Sequence, residues 1–306
     1  MSRSPAVHHH LGLGDGRWLH VVVHRPDPGT CSPASVRLPG TLEARRRPTT
    51  VVLESGMGLS RLLWARVVPL LTGRGLRVVV YDRAGMGRSP SAEHARGAEE
   101  LVADLRAVVA RTAPGGAVMV GHSYGAILVR LLAASDPGLV RAMVLVDPST
   151  ELVRAETTPV GRIADRLAQG VLEGVYRAGL GPLALAATGY WRLPGRMWRK
   201  AVVEDSGAEA ARSRGAELRP YSAALDGLAA RPLPVPEVPV VVLASRSRPG
   251  SVWHRAYARY VESVPRARLV TARTRSHMVP LVDPTSVAAA VAGVAGRQGR
   301  STAQPR

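Results

Sequence analysis

The chain has 306 residues, 46% of them apolar and 21% charged, with a net charge of +18. That length and apolar content suffice for a large core and exclude global disorder. Lys200 is the only lysine and phenylalanine is absent, a bias that reads as arginine-rich coding rather than as selection for a polyanion partner. No nucleic-acid-binding motif accompanies the charge, so no specific nucleic acid is expected. Loose association with an anionic surface is compatible with it. A single cysteine, Cys31, excludes an internal disulfide. No stretch of about 18 residues is free of charges and breakers, so no membrane span is expected. Residues 1–16 lack the apolar core of a secretory signal, which makes the expected location cytoplasmic. Nothing in the sequence speaks to oligomeric state.

Residues 1–16 have no useful periodicity and read as a loose arm. Residues 18–24 (WLHVVVH) read as a strand, β-branched and bounded by Pro26 and Pro28. The Gly-, Pro- and Arg-rich 30–48 reads as loop with one short edge strand. Strands follow at 50–54 (TVVLE) and 76–81 (LRVVVY), separated by helical spacing over 62–71. Residues 99–112 place Leu101, Val102, Leu105, Val108 and Val109 on one helix face. A strand at 117–120, an apolar helix at 125–134 and a strand at 140–146 come next. The alternation then stops: 149–236 has helical segments and no convincing strand. It resumes with strand 238–243, helix 253–264, strand 267–271 and helix 284–297, before a frayed end.

Strands alternating with helices predict an α/β fold, a mostly parallel central sheet covered on both faces. The expected organisation is a core of 17–150 and 237–297, a helical lid of 151–236 inserted after the sixth strand, and loose termini at 1–16 and 298–306. An insertion of that length is more often functional than accidental.

Gly121-His122-Ser123-Tyr124-Gly125 matches G-x-S-x-G. The pattern alone is weak, but here it follows a strand and opens a helix, the setting of a nucleophile elbow. A sharp turn there lifts the Ser123 hydroxyl clear of the sheet, and small flanking residues let strand and helix backbones approach. The bland alternative is a helix-capping serine.

With these residues the chain resembles the α/β-hydrolase superfamily, and more narrowly its lid-bearing bacterial serine esterases and lipases, over roughly 18–297. Three further motifs stand in the family's order. Leu53-Glu54-Ser55-Gly56-Met57-Gly58 lies where relatives carry a histidine-glycine oxyanion loop, with Ser55 in place of the histidine. Residues 81–89 (YDRAGMGRS) are similar to the D-R-x-G-x-G-x-S loop, and Ser276-His277-Met278 follows the last strand, where relatives place their histidine. The resemblance implies an oxyanion hole of the Met57 and Tyr124 backbone N–H groups, a structural role for the 82–89 loop, and no cofactor. A structural role is also expected of Glu54.

A serine hydroxyl needs a neutral imidazole within reach to take its proton. Of nine histidines, only His277 satisfies the order serine, acid, histidine in the right loop setting. The run His8–His10 could hold a stray metal, but no second cluster supports a metal site. The acid is harder to place. The segment 243–249 (LASRSRP), where many relatives carry it, has no carboxylate. Asp147, ending the preceding strand before Pro148, is the leading candidate, against a plain turn aspartate. Glu151 is second, and a dyad without an acid third.

The expected substrate is a small to medium hydrophobic ester in an apolar pocket built from Trp64, Tyr190, Trp191 and Met278 with Met57, Tyr176 and Trp198. A peptidase, thioesterase, lactonase or acyltransferase using the same triad stays open. So does a non-catalytic ligand-binding or sensor protein. Epoxide hydrolases and haloalkane dehalogenases are disfavoured, because by resemblance they carry aspartate where Ser123 stands.

Overall fold

Eight strands form one sheet in the order β1-β2-β4-β3-β5-β6-β7-β8. They are β1 (Ala6–Gly12), β2 (Trp18–His24), β3 (Thr50–Glu54), β4 (Arg77–Tyr81), β5 (Ala117–His122), β6 (Val140–Val146), β7 (Val240–Ala244) and β8 (Ala267–Thr271). β1 and β2 run antiparallel to their neighbours, and every pairing from β4 to β8 is parallel. The computed structural model describes residues 6–26, 48–91, 96–156, 167, 170–172, 174–247 and 250–298. The short edge strand expected within 30–48 lies outside the described residues for all but its end.

The apolar runs of the central strands divide between two cores, as the two-residue pleat requires. Val52, Met119, Met143, Leu145 and Val242 face one cluster with helices α2 (Ala98–Thr112) and α3 (Tyr124–Ser135). Val51, Leu53, Val118, Val120, Val144 and Val241 face the other, with α1 (Val68–Thr72) and the C-terminal helix. Between β6 and β7 lie α4 (Glu151–Glu156), α5 (Gly181–Ala187), α6 (Gly195–Asp205) and α7 (Ala208–Ala230). After β7 come α8 (Val252–Ser263), α9 (Val279–Val282) and α10 (Pro284–Gln298). α7 sends Leu225 and Leu228 into the first core cluster, so part of the insertion is built into the sheet domain. Among the described residues no helix is long and apolar enough to cross a membrane.

Two expectations need correction. Residues 6–12 are not a loose arm but the edge strand β1, paired along its length with β2. Five of its first six residues stay exposed, which is why no hydrophobic alternation marks it. The helix expected over 62–71 is broken into a 3₁₀ turn, Arg61–Trp64, and α1. Pro69 lacks the N–H that a continuous helix would use, and it stands in the first turn of α1, where none is needed.

A buried polar cluster joins the antiparallel edge to α6. His20 Nδ1 is 2.9 Å from Asp82 Oδ2, and His20 Nε2 is 2.9 Å from His8 Nδ1. Arg61 pairs with Asp82 and, at 2.8 Å, with Glu204 of α6. Next to it Asp205 accepts from Ser60 Oγ at 2.9 Å. Burial, with the charges of Asp82 and Glu204, pushes the Asp205 carboxyl up to about 7, against the Ser60 bond and Arg61. The raised value means the fold is favoured while Asp205 is protonated and loses that advantage as pH rises from about 4 to 7. Asp205→Asn keeps an acceptor for Ser60 without the charge. It is expected to stabilise the protein by about 2–4 kcal/mol above pH 7, with the gain shrinking to nothing near pH 4. Denaturant melts at pH 4, 6 and 8 measure this, and a pH-independent difference would contradict it.

Candidate active site

The carboxyl ends of the parallel strands meet at one rim, and the loops leaving β3, β4, β5, β6 and β8 carry the residues singled out above. At the end of β5 the chain turns through Ser123, with φ 52° and ψ −119°, before α3 begins at Tyr124. A left-handed serine costs about 1–3 kcal/mol and persists only when its surroundings hold it. Here Ser123 N–H donates to Val146 O, and Ser123 O accepts from Ala126 and Ser149, each at 3.1 Å. A side chain at Gly125 would place its Cβ 2.4 Å from Ser55 O, and one at Gly121 would lie 2.5 Å from Gly125 O. Both positions therefore exclude any larger residue, which is the physical content of the motif.

After β6, Asp147 also takes a left-handed conformation, φ 42°, and donates its N–H to Leu243 O at 2.8 Å. Its Oδ1 accepts from Ser245 N–H at 2.8 Å, and its Oδ2 lies 2.7 Å from His277 Nδ1. Burial pushes the Asp147 carboxyl up, but the His277 bond and charge and the Ser245 amide outweigh it and hold it below the usual range. Glu151, the second candidate acid, is engaged elsewhere. Its two oxygens take a fork of Arg130 N–H groups at 2.8 and 2.7 Å.

The His277 side chain is half exposed. Ser123 Oγ meets Ser149 Oγ at 3.5 Å, its one side-chain hydrogen-bond contact among the described residues. A serine–histidine hydrogen bond in a hydrolytic site commonly tightens only in the substrate complex. His122, beside the serine, is fully buried and donates from Nε2 to the His277 carbonyl oxygen at 2.9 Å. Burial, and then the proximity of His277, lower its pKa to about 3, so it stays neutral. Its Nδ1 has no partner and faces Gly56.

The loop after β3 is held by Arg83, which is fully buried. Arg83 donates to Ser55 O and Gly56 O, both at 2.7 Å, pairs with Glu54, and takes both oxygens of Glu217 from α7 at 2.6 and 2.8 Å. Burial disfavours its charge, and Glu217 and Glu54 more than restore it. Gly58 N–H donates to Glu217 at 2.9 Å. Met57, between Gly56 and Gly58, packs partly buried against the apolar cluster that holds Tyr124.

The expected pocket residues separate. Trp64 is fully buried and donates its indole N–H to Ser55 Oγ at 3.1 Å, so it braces the loop after β3. Trp191 is 60% exposed, with the Arg192 guanidinium 4.6 Å over its ring. It faces solvent. Tyr190 is fully buried with an unpartnered hydroxyl, in the same cluster as the buried Met278. In the His8–His10 run, His8 bonds His20 and His10 packs on Trp18 with centroids 4.1 Å apart, and no cluster of three metal-ligating residues occurs among the described residues. Sequence reasoning missed Glu217, Arg214 and Ser245, none of which belongs to a local motif. It also missed the reach of Arg83, although the D-R-x-G-x-G-x-S motif contains that residue.

Residues 51–290 match the profile of the alpha/beta hydrolase family. The chain belongs to that family. Its curated relatives include "Putative carbamate hydrolase RutD" of Variovorax paradoxus, 36% identical over 98 residues, 32% of this chain and 37% of that one. Another is a non-heme haloperoxidase of Rhodococcus erythropolis, 34% identical over 113 residues, 36% of this chain and 41% of that one. These alignments span about two fifths of the relatives' length. Among solved structures, the epoxide hydrolase CorEH superposes with a TM-score of 0.66 at 17% identity, covering 96% of this chain and all of that one. At that identity the likeness concerns the family's fold.

Proposed function

We propose that the protein is a serine hydrolase of this family that cleaves a small to medium hydrophobic carboxylic ester through an acyl-enzyme on Ser123. The observation that carries the reading is the 2.7 Å contact of His277 Nδ1 with Asp147 Oδ2 at the rim where Ser123 occupies a strained elbow. With Nδ1–H donated to Asp147, the Nε2 lone pair of His277 is free to take the Ser123 proton. The hydroxyl oxygen bonds to the acyl carbon, and the carbonyl oxygen becomes an oxyanion facing Met57 N–H and Tyr124 N–H. Collapse breaks the ester C–O bond, and the leaving alkoxide takes the proton from His277. Water then adds to the acyl-enzyme by the same route, releasing the acid and restoring Ser123. Asp147 stabilises the imidazolium in both halves. Met57 and Tyr221 pack partly exposed against the apolar cluster that holds Tyr124, which favours an apolar acyl or alcohol group.

Fluorophosphonate labelling followed by intact mass tests the proposal. Wild type is expected to gain one adduct and Ser123→Ala none. A folded wild type that takes no label would overturn it.

A further inference from the structure

Helix α7 touches both segments that would form the proposed oxyanion hole, the backbone after β3 and the ring of Tyr124. On one side, the Gly56–Met57 peptide is planar and trans, so its C=O and N–H point in opposite directions. Arg83 holds Gly56 O at 2.7 Å and thereby aims Met57 N–H. Arg83 is itself gripped through Nε and Nη2 by Glu217. The following peptide is held from α7 as well, Gly58 N–H by Glu217 and Gly58 O by Arg214 Nη2 at 3.0 Å. Gly58 has φ +63°, and a Cβ there would lie 2.4 Å from Arg214 Nε. Met57 thus sits between two glycines, the backbone least able to hold a direction unaided. Gly56 O also accepts from Leu59 N–H at 3.3 Å within the loop, and the side chains that hold the two flanking peptides from outside the loop, Arg83 through Glu217, Glu217 itself and Arg214, lead to α7. One turn further along the helix, Tyr221 packs edge-on against Tyr124, centroids 5.1 Å apart at 89°. Ser213 packs against Gly85 of the loop that carries Arg83.

We propose that Glu217, assisted by Arg214, is a positioning residue of the oxyanion hole, so that α7 works as a fixed buttress that aims Met57 N–H rather than as a lid that swings over the site. This rests on the serine-hydrolase reading. Because Gly58 N–H is committed to Glu217, it is not the oxyanion donor. A glutamine cannot accept from Gly58 and from both Arg83 donors without turning an N–H of its own toward one of them.

The test compares wild type, Glu217→Gln, Arg214→Met and, as a control on an exposed part of the same helix, Glu209→Gln. Each variant is assayed for hydrolysis of p-nitrophenyl esters, for affinity toward a trifluoromethyl ketone that forms the tetrahedral adduct, and for thermal melting. Glu217→Gln is expected to lower kcat about 10–100-fold with KM within about twofold, and to weaken the ketone by the same factor as kcat. Arg214→Met is expected to lose about threefold to tenfold in both, and carries the test if Glu217→Gln does not fold. Glu209→Gln should match wild type. A role in packing alone would shift melting while leaving kcat and ketone affinity together at wild-type values. That result, in a protein whose wild type takes the fluorophosphonate label, overturns this inference and leaves the serine reading standing. A folded wild type without label overturns both.

Discussion

Asp147→Asn is expected to lower kcat about 10³–10⁴-fold, with KM little changed. Asp147 Oδ2 contacts His277 Nδ1 at 2.7 Å while Oδ1 is fixed by Ser245 N–H. The carboxylate therefore has one orientation, and in it His277 must carry its proton on Nδ1. An asparagine held by Ser245 through its oxygen would present its NH₂ to Nδ1. The imidazole would then keep its proton on Nε2, the wrong nitrogen for deprotonating Ser123. The imidazolium would also lose its counter-charge, so the defect lies in the transition state rather than in substrate binding. Glu151→Gln makes the contrast. It breaks the fork with Arg130 and leaves a buried guanidinium without its carboxylate, a loss of about 3 kcal/mol in stability, while turnover of the folded fraction stays within about threefold of wild type. Steady-state kinetics and urea melts of the two variants decide between the acids. If Glu151→Gln is the inactive one, the assignment of Asp147 falls.

The contrast also shows how far the sequence reads. The parallel strands were legible because their apolar runs are buried on both faces, as in Val51–Leu53 and Val144–Val146, where successive residues enter opposite cores. β1 was not, because an edge strand with one neighbour and three exposed histidines in succession, His8, His9 and His10, buries only Leu11 and carries no hydrophobic signature. The elbow announced itself through Gly121 and Gly125, whose small size is demanded by the close approach of α3 to β5 and of the loop after β3 to α3. Asp147 was harder, since its turn is fixed by hydrogen bonds to Leu243 and Ser245, nearly a hundred residues on. Glu217 lies 134 residues from Arg83, on a helix whose periodicity marks only its buried face. A buried carboxylate there looks like any charge in a helix until its partner is located. Trp64 and Trp191 illustrate the same limit: composition marks a large aromatic ring but not whether it braces a loop or meets solvent.

Arg83→Met is expected to be the most destabilising substitution in the site, by about 5 kcal/mol and about 10 °C in melting temperature. It leaves Glu54 and Glu217, both buried, without the cation that neutralises them. Burial already pushes the Glu54 carboxyl up, with Arg83 opposing that shift. Without Arg83 the Glu54 carboxyl takes up a proton more readily in the folded state. Groups with folded pKa values raised in this way favour folding at low pH and cease to do so as pH rises through the raised values. The deficit against wild type is therefore largest above neutral pH and shrinks on acidification, whereas a simple packing defect would be flat with pH. Arg83→Lys separates charge from geometry. A lysine returns the positive charge and much of the stability, but as a point charge it cannot hold Glu217, Ser55 O and Gly56 O together. With Gly56 O released, Met57 N–H loses its aim, so Arg83→Lys is expected to melt near wild type and still turn over about tenfold or more slowly. Full activity in Arg83→Lys would mean that the charge of residue 83, and not its fork, is what the oxyanion loop requires.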